Sequence, residues 1–265
     1  MTQALLGRND APIASSVWEL LDGTAVGVAR NELAGRRLLD VDGPYGLGLK
    51  EVALSDEEVE DGVFIGNSLP LAHIVRPFSL PARDLAAFER EASSVDLMPL
   101  VQATLDVVRA EDRIVFAGTP RTPGLLKADG ALSVGLAEWG DVGAAQTDVI
   151  EAVTALDEAG FHGPYALALG PARYNMLLRR FETAAVSELE VIGSMATAGV
   201  FKASSLEDGG VILQAGKEFA HIVLGQDLAV GFSGVNDARL DFFVSESVAV
   251  RVLVPQAVCI LGTPV

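Results

Sequence analysis

The chain has 265 residues, enough for one large domain or two small ones, and sets 19 Lys and Arg against 36 Asp and Glu, a formal net charge of −17. Such acidity lacks the basic footprint that nucleic-acid phosphates require, and the single cysteine, Cys259, excludes an internal disulfide and any cysteine-based zinc site. The longest uncharged runs, such as 252–265, are too short to cross a bilayer and are broken by Pro255; residues 1–10 lack the sections of a signal peptide, so a cytoplasmic protein is expected. Mean hydropathy is +0.36 although only 6% of residues are aromatic, so small aliphatics carry the apolarity. A chain this apolar needs either a generous core or large surfaces covered by other subunits.

In chain order, a helix is expected from Pro12. Ser16 and Glu19 have capping-box spacing, Val17, Leu20, Leu21, Val28 and Leu33 form its apolar stripe, and Gly35 stops it. A strand at 38–41 ends in the turn Gly43-Pro44-Tyr45-Gly46. Residues 47–77 read as a long extended arm with an acidic tip, because five of the six residues 56–61 are Asp or Glu and Val59 is the exception. Its apolar content is too sparse to fold alone, and a two-stranded ribbon is marginal in water, so it is expected to lie against something else. Residues 78–116 look mainly helical, with Asp96 as N-cap and Pro99 in the first turn. Beyond a turn region at 118–124, helices are expected at 147–159 and after Gly170-Pro171. Strands are expected at 165–169, 211–213, 221–224 and across 240–254. The class is α+β with a projecting arm.

Catalytic constellations are largely missing. His73, His162 and His221 fall in separate segments with no helical metal spacing, and the chain has no nucleophile elbow, phosphate loop or dinucleotide fingerprint. Asp40 and Asp42 flank Val41 and would share one face of a strand, where paired carboxylates can do acid–base work; an Arg–Asp bond to the preceding Arg36 or Arg37 is the simpler reading. The acidic run 56–61 lacks the spaced loop of a calcium site, and Cys259 reads as a small core residue.

Several stretches resemble the encapsulin shell proteins, the linocin-like family 1. They are Ala11-Pro12-Ile13 with Trp18; Ala34-Gly35-Arg36-Arg37-Leu38-Leu39-Asp40-Val41-Asp42-Gly43-Pro44-Tyr45-Gly46; Leu69-Pro70-Leu71 with Pro77-Phe78-Ser79-Leu80; and Glu111-Asp112-Arg113-Ile114-Val115-Phe116-Ala117-Gly118. Gly163-Pro164-Tyr165, the run from Leu224 to Phe232, and Glu246-Ser247 complete the match, which keeps its order from Ala11 to Gly262. The resemblance implies the Hong Kong 97 phage-type capsid fold. It assigns a packing domain to 1–46, 78–130 and 225–265, an extended loop to 47–77 completed by a neighbouring subunit, and an axial domain to 131–224.

The resemblance also implies a non-enzymatic, self-assembling icosahedral homo-oligomer. Its copies number a multiple of sixty, with sixty preferred. Such a nanocompartment encloses a cargo enzyme, for example a ferritin-like protein or a dye-decolorising peroxidase, in iron storage or oxidative-stress defence. The cargo's C-terminal peptide docks on the inner wall, at positions that correspond here to Ala29, Leu33, Arg36, Asp40, Leu228 and Val230. Glu182 and Glu188 are the candidates for lining a pore. Some relatives stack a flavin on a tryptophan where this chain has Arg83, so no cofactor is expected. Two other readings remain open on the residues: a viral capsid protein enclosing DNA, and a monomeric hydrolase using Asp40 and Asp42.

Overall fold

The computed structural model describes residues 5–181 and 185–262. In chain order it contains α1 (Ser15–Glu32), α2 (Gly35–Leu38), β1 (Asp40–Asp42), β2 (Glu51–Ala53), β3 (Glu57–Glu60), β4 (Val63–Ile65), β5 (Ser68–Pro70), β6 (Ala72–Pro81), α3 (Ala82–Glu91) and α4 (Met98–Ala117). Next come β7 (Leu132–Val134), α5 (Ala144–Glu158), β8 (Tyr165–Leu169), α6 (Pro171–Met176), α7 (Glu188–Met195) and β9 (Gly199–Lys202). The chain closes with β10 (Gly210–Gln214), β11 (Ala220–Leu224), β12 (Ala229–Asn236), β13 (Arg239–Val252) and β14 (Val258–Leu261). It divides into two compact units. The first is Met1–Leu33, Gly43–Glu111 and Val223–Ala249; the second is Ala34–Asp42, Asp112–Ile222 and Val250–Val265.

In the first unit β13 pairs antiparallel with β12 along one edge and with β6 along the other. The register sets Phe232 and Phe78 opposite Phe242, so three rings form one row across three strands. Phe78 stacks on Phe242 at 5.4 Å, Phe232 meets it at 5.6 Å and 64°, and Trp18 of α1 comes edge-on at 5.9 Å and 86°. Edge-to-face and offset contacts of this kind add to simple burial, because the positive ring edge meets the negative face. Helix α1 buries Val17, Leu21, Ala25 and Ala29, a stripe of every fourth residue whose small members let the helix lie close. The expected capping box at Ser16 and Glu19 does not form: the N-cap is Ala14, and its backbone N–H donates instead to Glu89 Oε1 of α3 at 2.6 Å.

The segment 78–116 departs from a single helical reading. Residues up to Pro81 belong to β6, held in the sheet by ten consecutive partners on β13, and the helices begin only at Ala82 and Met98. Asp96 does serve the second start, accepting from the Met98 N–H at 3.0 Å.

The arm is a self-paired ribbon, β2 with β5 and β3 with β4. Every residue of β3 and β4 is exposed, including Val59, Val63, Phe64 and Ile65, the last three roughly half or more. Such a ribbon buries nothing of its own.

The second unit is a five-stranded sheet in the order β7-β14-β10-β8-β9. Strand β14 runs parallel to β7 and antiparallel to β10, so it sits inside the sheet. Helix α5 covers it with Ala145, Val149, Ala152 and Leu156. Buried Asp148 of α5 accepts from the Ala137 N–H at 2.9 Å and from the indole N–H of fully buried Trp139 at 2.8 Å. Cys259 of β14 lies in the same core, and burial pushes its thiol up to about 12, so it is an inert apolar residue there.

Replacing Phe242 by Ala removes the hub of the aromatic row and should cost about 3–5 kcal/mol, read as a fall of roughly ten degrees in melting temperature. Asp148→Ala strands the buried Trp139 indole N–H and should cost about 1–3 kcal/mol by the same measurement.

Candidate functional site

Strand β12 has a strand neighbour on one edge only. Its other edge meets the segment before α1: the Phe232 N–H donates to Leu6 O at 2.8 Å, and Arg8 Nε donates to Val230 O at 2.8 Å. The approach is tight enough to require glycine between these two residues. Gly7 has φ +67°, and a Cβ there would stand 2.4 Å from Phe232 O. Arg8 is locked further by an ion pair with Asp22 of α1 and by stacking over the Trp18 ring at 4.4 Å.

Below this strap opens a cleft of about 330 Å³ between α1 and β12. Its walls are Leu6, Ala25 and Val26 on one side and Leu228, Ala229 and Val230 on the other, with Arg8 and Asp22 at one end. One turn and two turns along the helix from Ala25, Ala29 and Leu33 form an apolar cluster with Val108, against which Leu228 packs. The result is a shallow apolar trough with one polar end. It suits an extended segment that offers aliphatic side chains, and it carries no group arranged for bond making or breaking.

Of the residues named from the sequence, Ala29, Leu33, Leu228 and Val230 are thus brought together in the first unit. Arg36 on α2, half-buried, and Asp40 on β1, exposed, belong to the second unit. Leu6, Arg8, Asp22, Ala25, Val26 and Ala229 were not singled out. Ala25 was accessible to sequence reasoning as the four-residue predecessor of Ala29 and Leu33; Arg8 and Leu6 carry no periodic signal because they lie on an irregular strap.

Glu188 differs from its expected pore-facing role. It is fully buried at the start of α7, accepting from the Gly143 N–H at 2.7 Å and from Arg179 at 3.1 Å. Arg179 also donates to the carbonyls of Trp139, Gly140 and Met176, so the pair braces a loop rather than facing solvent. Glu182 lies outside the described residues. Asp42 is paired with Lys217 at 2.5 Å. Among the described residues no three His, Cys, Asp or Glu side chains are grouped to hold a metal, and no helix is long and apolar enough to cross a membrane.

The fold has relatives among shells. The virus-like particle of Pyrococcus furiosus superposes with a TM-score of 0.76 at 22% identity, covering 92% of this chain and 99% of that one. The capsid of Myoviridae phage XM1 gives 0.57 at 14% identity over 86% and 90%. These likenesses establish the Hong Kong 97-like capsid fold, in agreement with the class expected from the sequence. In sequence, the type 1 encapsulin shell protein EncA of Myxococcus xanthus is 30% identical over 97% of this chain and 96% of its own length. A type 1 encapsulin shell protein of Rhodospirillum rubrum is 28% identical over 95% and 94%. The family Linocin_M18, described as the encapsulating protein for peroxidase, matches residues 2–249. With a matching family over nearly its whole length and a capsid fold beneath it, this chain belongs to the encapsulin shell proteins.

Proposed function

We propose that this chain builds a closed icosahedral shell in the cytoplasm, a multiple of sixty copies with sixty preferred, around a peroxidase-type or ferritin-like cargo. The observation that carries assembly is the arm. Its β3–β4 tip holds Val59, Val63, Phe64 and Ile65 in water beside five carboxylates, uncovered by any of the described residues. An exposed apolar ribbon is stable only where another surface covers it, and rotationally repeated contacts of this kind close into finite shells.

Cargo retention is assigned to the α1–β12 cleft. Its apolar walls bury aliphatic anchors of the cargo's C-terminal peptide, and the Arg8–Asp22 end sets where the peptide stops. The small volume limits each site to one or two such anchors, so retention gains from many sites facing one cargo particle. The shell's contribution is confinement rather than chemistry.

The phage-capsid likeness also admits a DNA container. A chain of net charge −17 opposes that reading, since DNA packaging needs neutralising cations on the inner face.

Gel filtration and negative-stain imaging of the purified protein should show closed particles of at least sixty chains and no nuclease-protected nucleic acid; a monomer at micromolar concentration overturns the shell reading. Val26→Glu places a charge on the exposed rim of the cleft. It should leave particles intact and reduce loading of a reporter carrying the cargo peptide by tenfold or more, measured by fluorescence per shell; undiminished loading removes the cleft from the mechanism.

A further inference from the structure

The second unit contains a larger cleft whose lining shares no residue with the arm tip or the α1–β12 cleft. It has a volume of about 920 Å³ and lies between the end of α4, the turn at 125–127, the end of β7 and the loop leading into β10. Its character is mixed. Ala117, Leu126, Val134, Leu136 and Leu206 give an apolar wall; Arg113 and Lys127 bring two exposed cations that form no salt bridge among the described residues, and Glu207 is a carboxylate on the same lining. In a chain with 36 acids and 19 bases, two unneutralised cations at one concavity are against the trend of the composition.

Three further details make it a receptive site. Arg173, also lining it, is already committed: its guanidinium is bidentate to Asp208 and lies over the Trp139 ring at 5.0 Å, so it fixes the wall without offering free charge. Ser205 lines the cleft with its Oγ buried and without a hydrogen-bond partner. A buried hydroxyl left unpaired is unfavourable unless a bound molecule completes it. Gly135, at the rim, has nothing within 4 Å of where a Cβ would stand, leaving room for a ligand beside its backbone.

We propose that this cleft binds a small amphipathic phosphate ester of nucleotide size. The phosphate is held by Arg113 and Lys127, the Ser205 hydroxyl donates to or accepts from its polar body, and the flat apolar portion lies on Leu126, Val134 and Leu136. The volume suits one nucleotide. Cations for a charged head beside an apolar floor for an uncharged ring make a combination that neither inorganic phosphate nor a purely apolar molecule exploits.

The test is equilibrium binding of ATP and of inorganic pyrophosphate to purified, assembled shells, with one saturable site per chain counted. ATP is expected to bind at least tenfold more tightly than pyrophosphate. Arg113→Ala and Lys127→Ala should each weaken ATP about tenfold while particles form and load cargo as before. Ser205→Ala should weaken ATP several-fold with no loss of melting temperature, since it deletes a hydroxyl that has no partner in the protein. The absence of saturable ATP binding, equal affinity for pyrophosphate, or unchanged affinity in both cation variants overturns the proposal. Failure here leaves the shell and cargo readings intact, because those are measured at another unit of the chain.

Discussion

The row of rings centred on Phe242 governs the first unit. Because Phe78, Phe242 and Phe232 occupy matching positions on three adjacent strands, their rings are held at one height, and Trp18 drops edge-on from α1 onto that row. The helix is thereby set at a fixed distance from the sheet. The alanines that follow on α1 cannot close the remaining space between helix and β12, and the peptide-sized cleft is what is left over. Gly231 belongs to the same sheet: a Cβ there would collide with the Phe243 ring at 2.2 Å, so that position carries no side chain. The site is therefore a by-product of aromatic packing and small residues in the right order, not of polar machinery.

The strap before α1 adds a second constraint. An edge strand presents unpaired backbone groups, which in water invite another chain to pair with them. Leu6 and Arg8 occupy part of that edge and leave the portion near Leu228–Val230 lined by apolar walls. The protein thus restricts what can be added to this edge, and the restriction is strict because Gly7 permits no side chain between strap and strand. The arm follows the opposite logic, pairing its backbone with itself and leaving its side chains uncovered.

Much of the fold was legible in the sequence. The four-residue apolar spacing on α1, the uninterrupted run of β8 and the acids of the arm each express one local rule, and the arm's exposed tip agrees with its lack of apolar content. The misreadings share a cause. Ser16 and Glu19 have capping spacing, but helix capping is decided by where the chain arrives, and here Glu89 supplies the acceptor. The real capping box is at Ser187 and Glu190, ahead of α7. Residues 78–81 look helical in isolation and become strand because β13 offers a full ladder. Glu188 reads as a surface acid until Arg179, nine residues before it, and the Gly143 N–H, 45 residues before it, enclose it. The α1–β12 cleft was half visible: its helical wall obeys a period, whereas its strap does not.

The place of β14 has an effect on how the chain is made. It lies between β7 and β10, two strands that it alone joins, and its partners on β7 are more than a hundred residues earlier. Until residues 258–261 leave the ribosome, the sheet exists as two fragments with open apolar edges, and such long-range pairing is slow. Half-finished chains on one messenger therefore lack a completed second unit. Only chains extended past Leu261 can close that sheet.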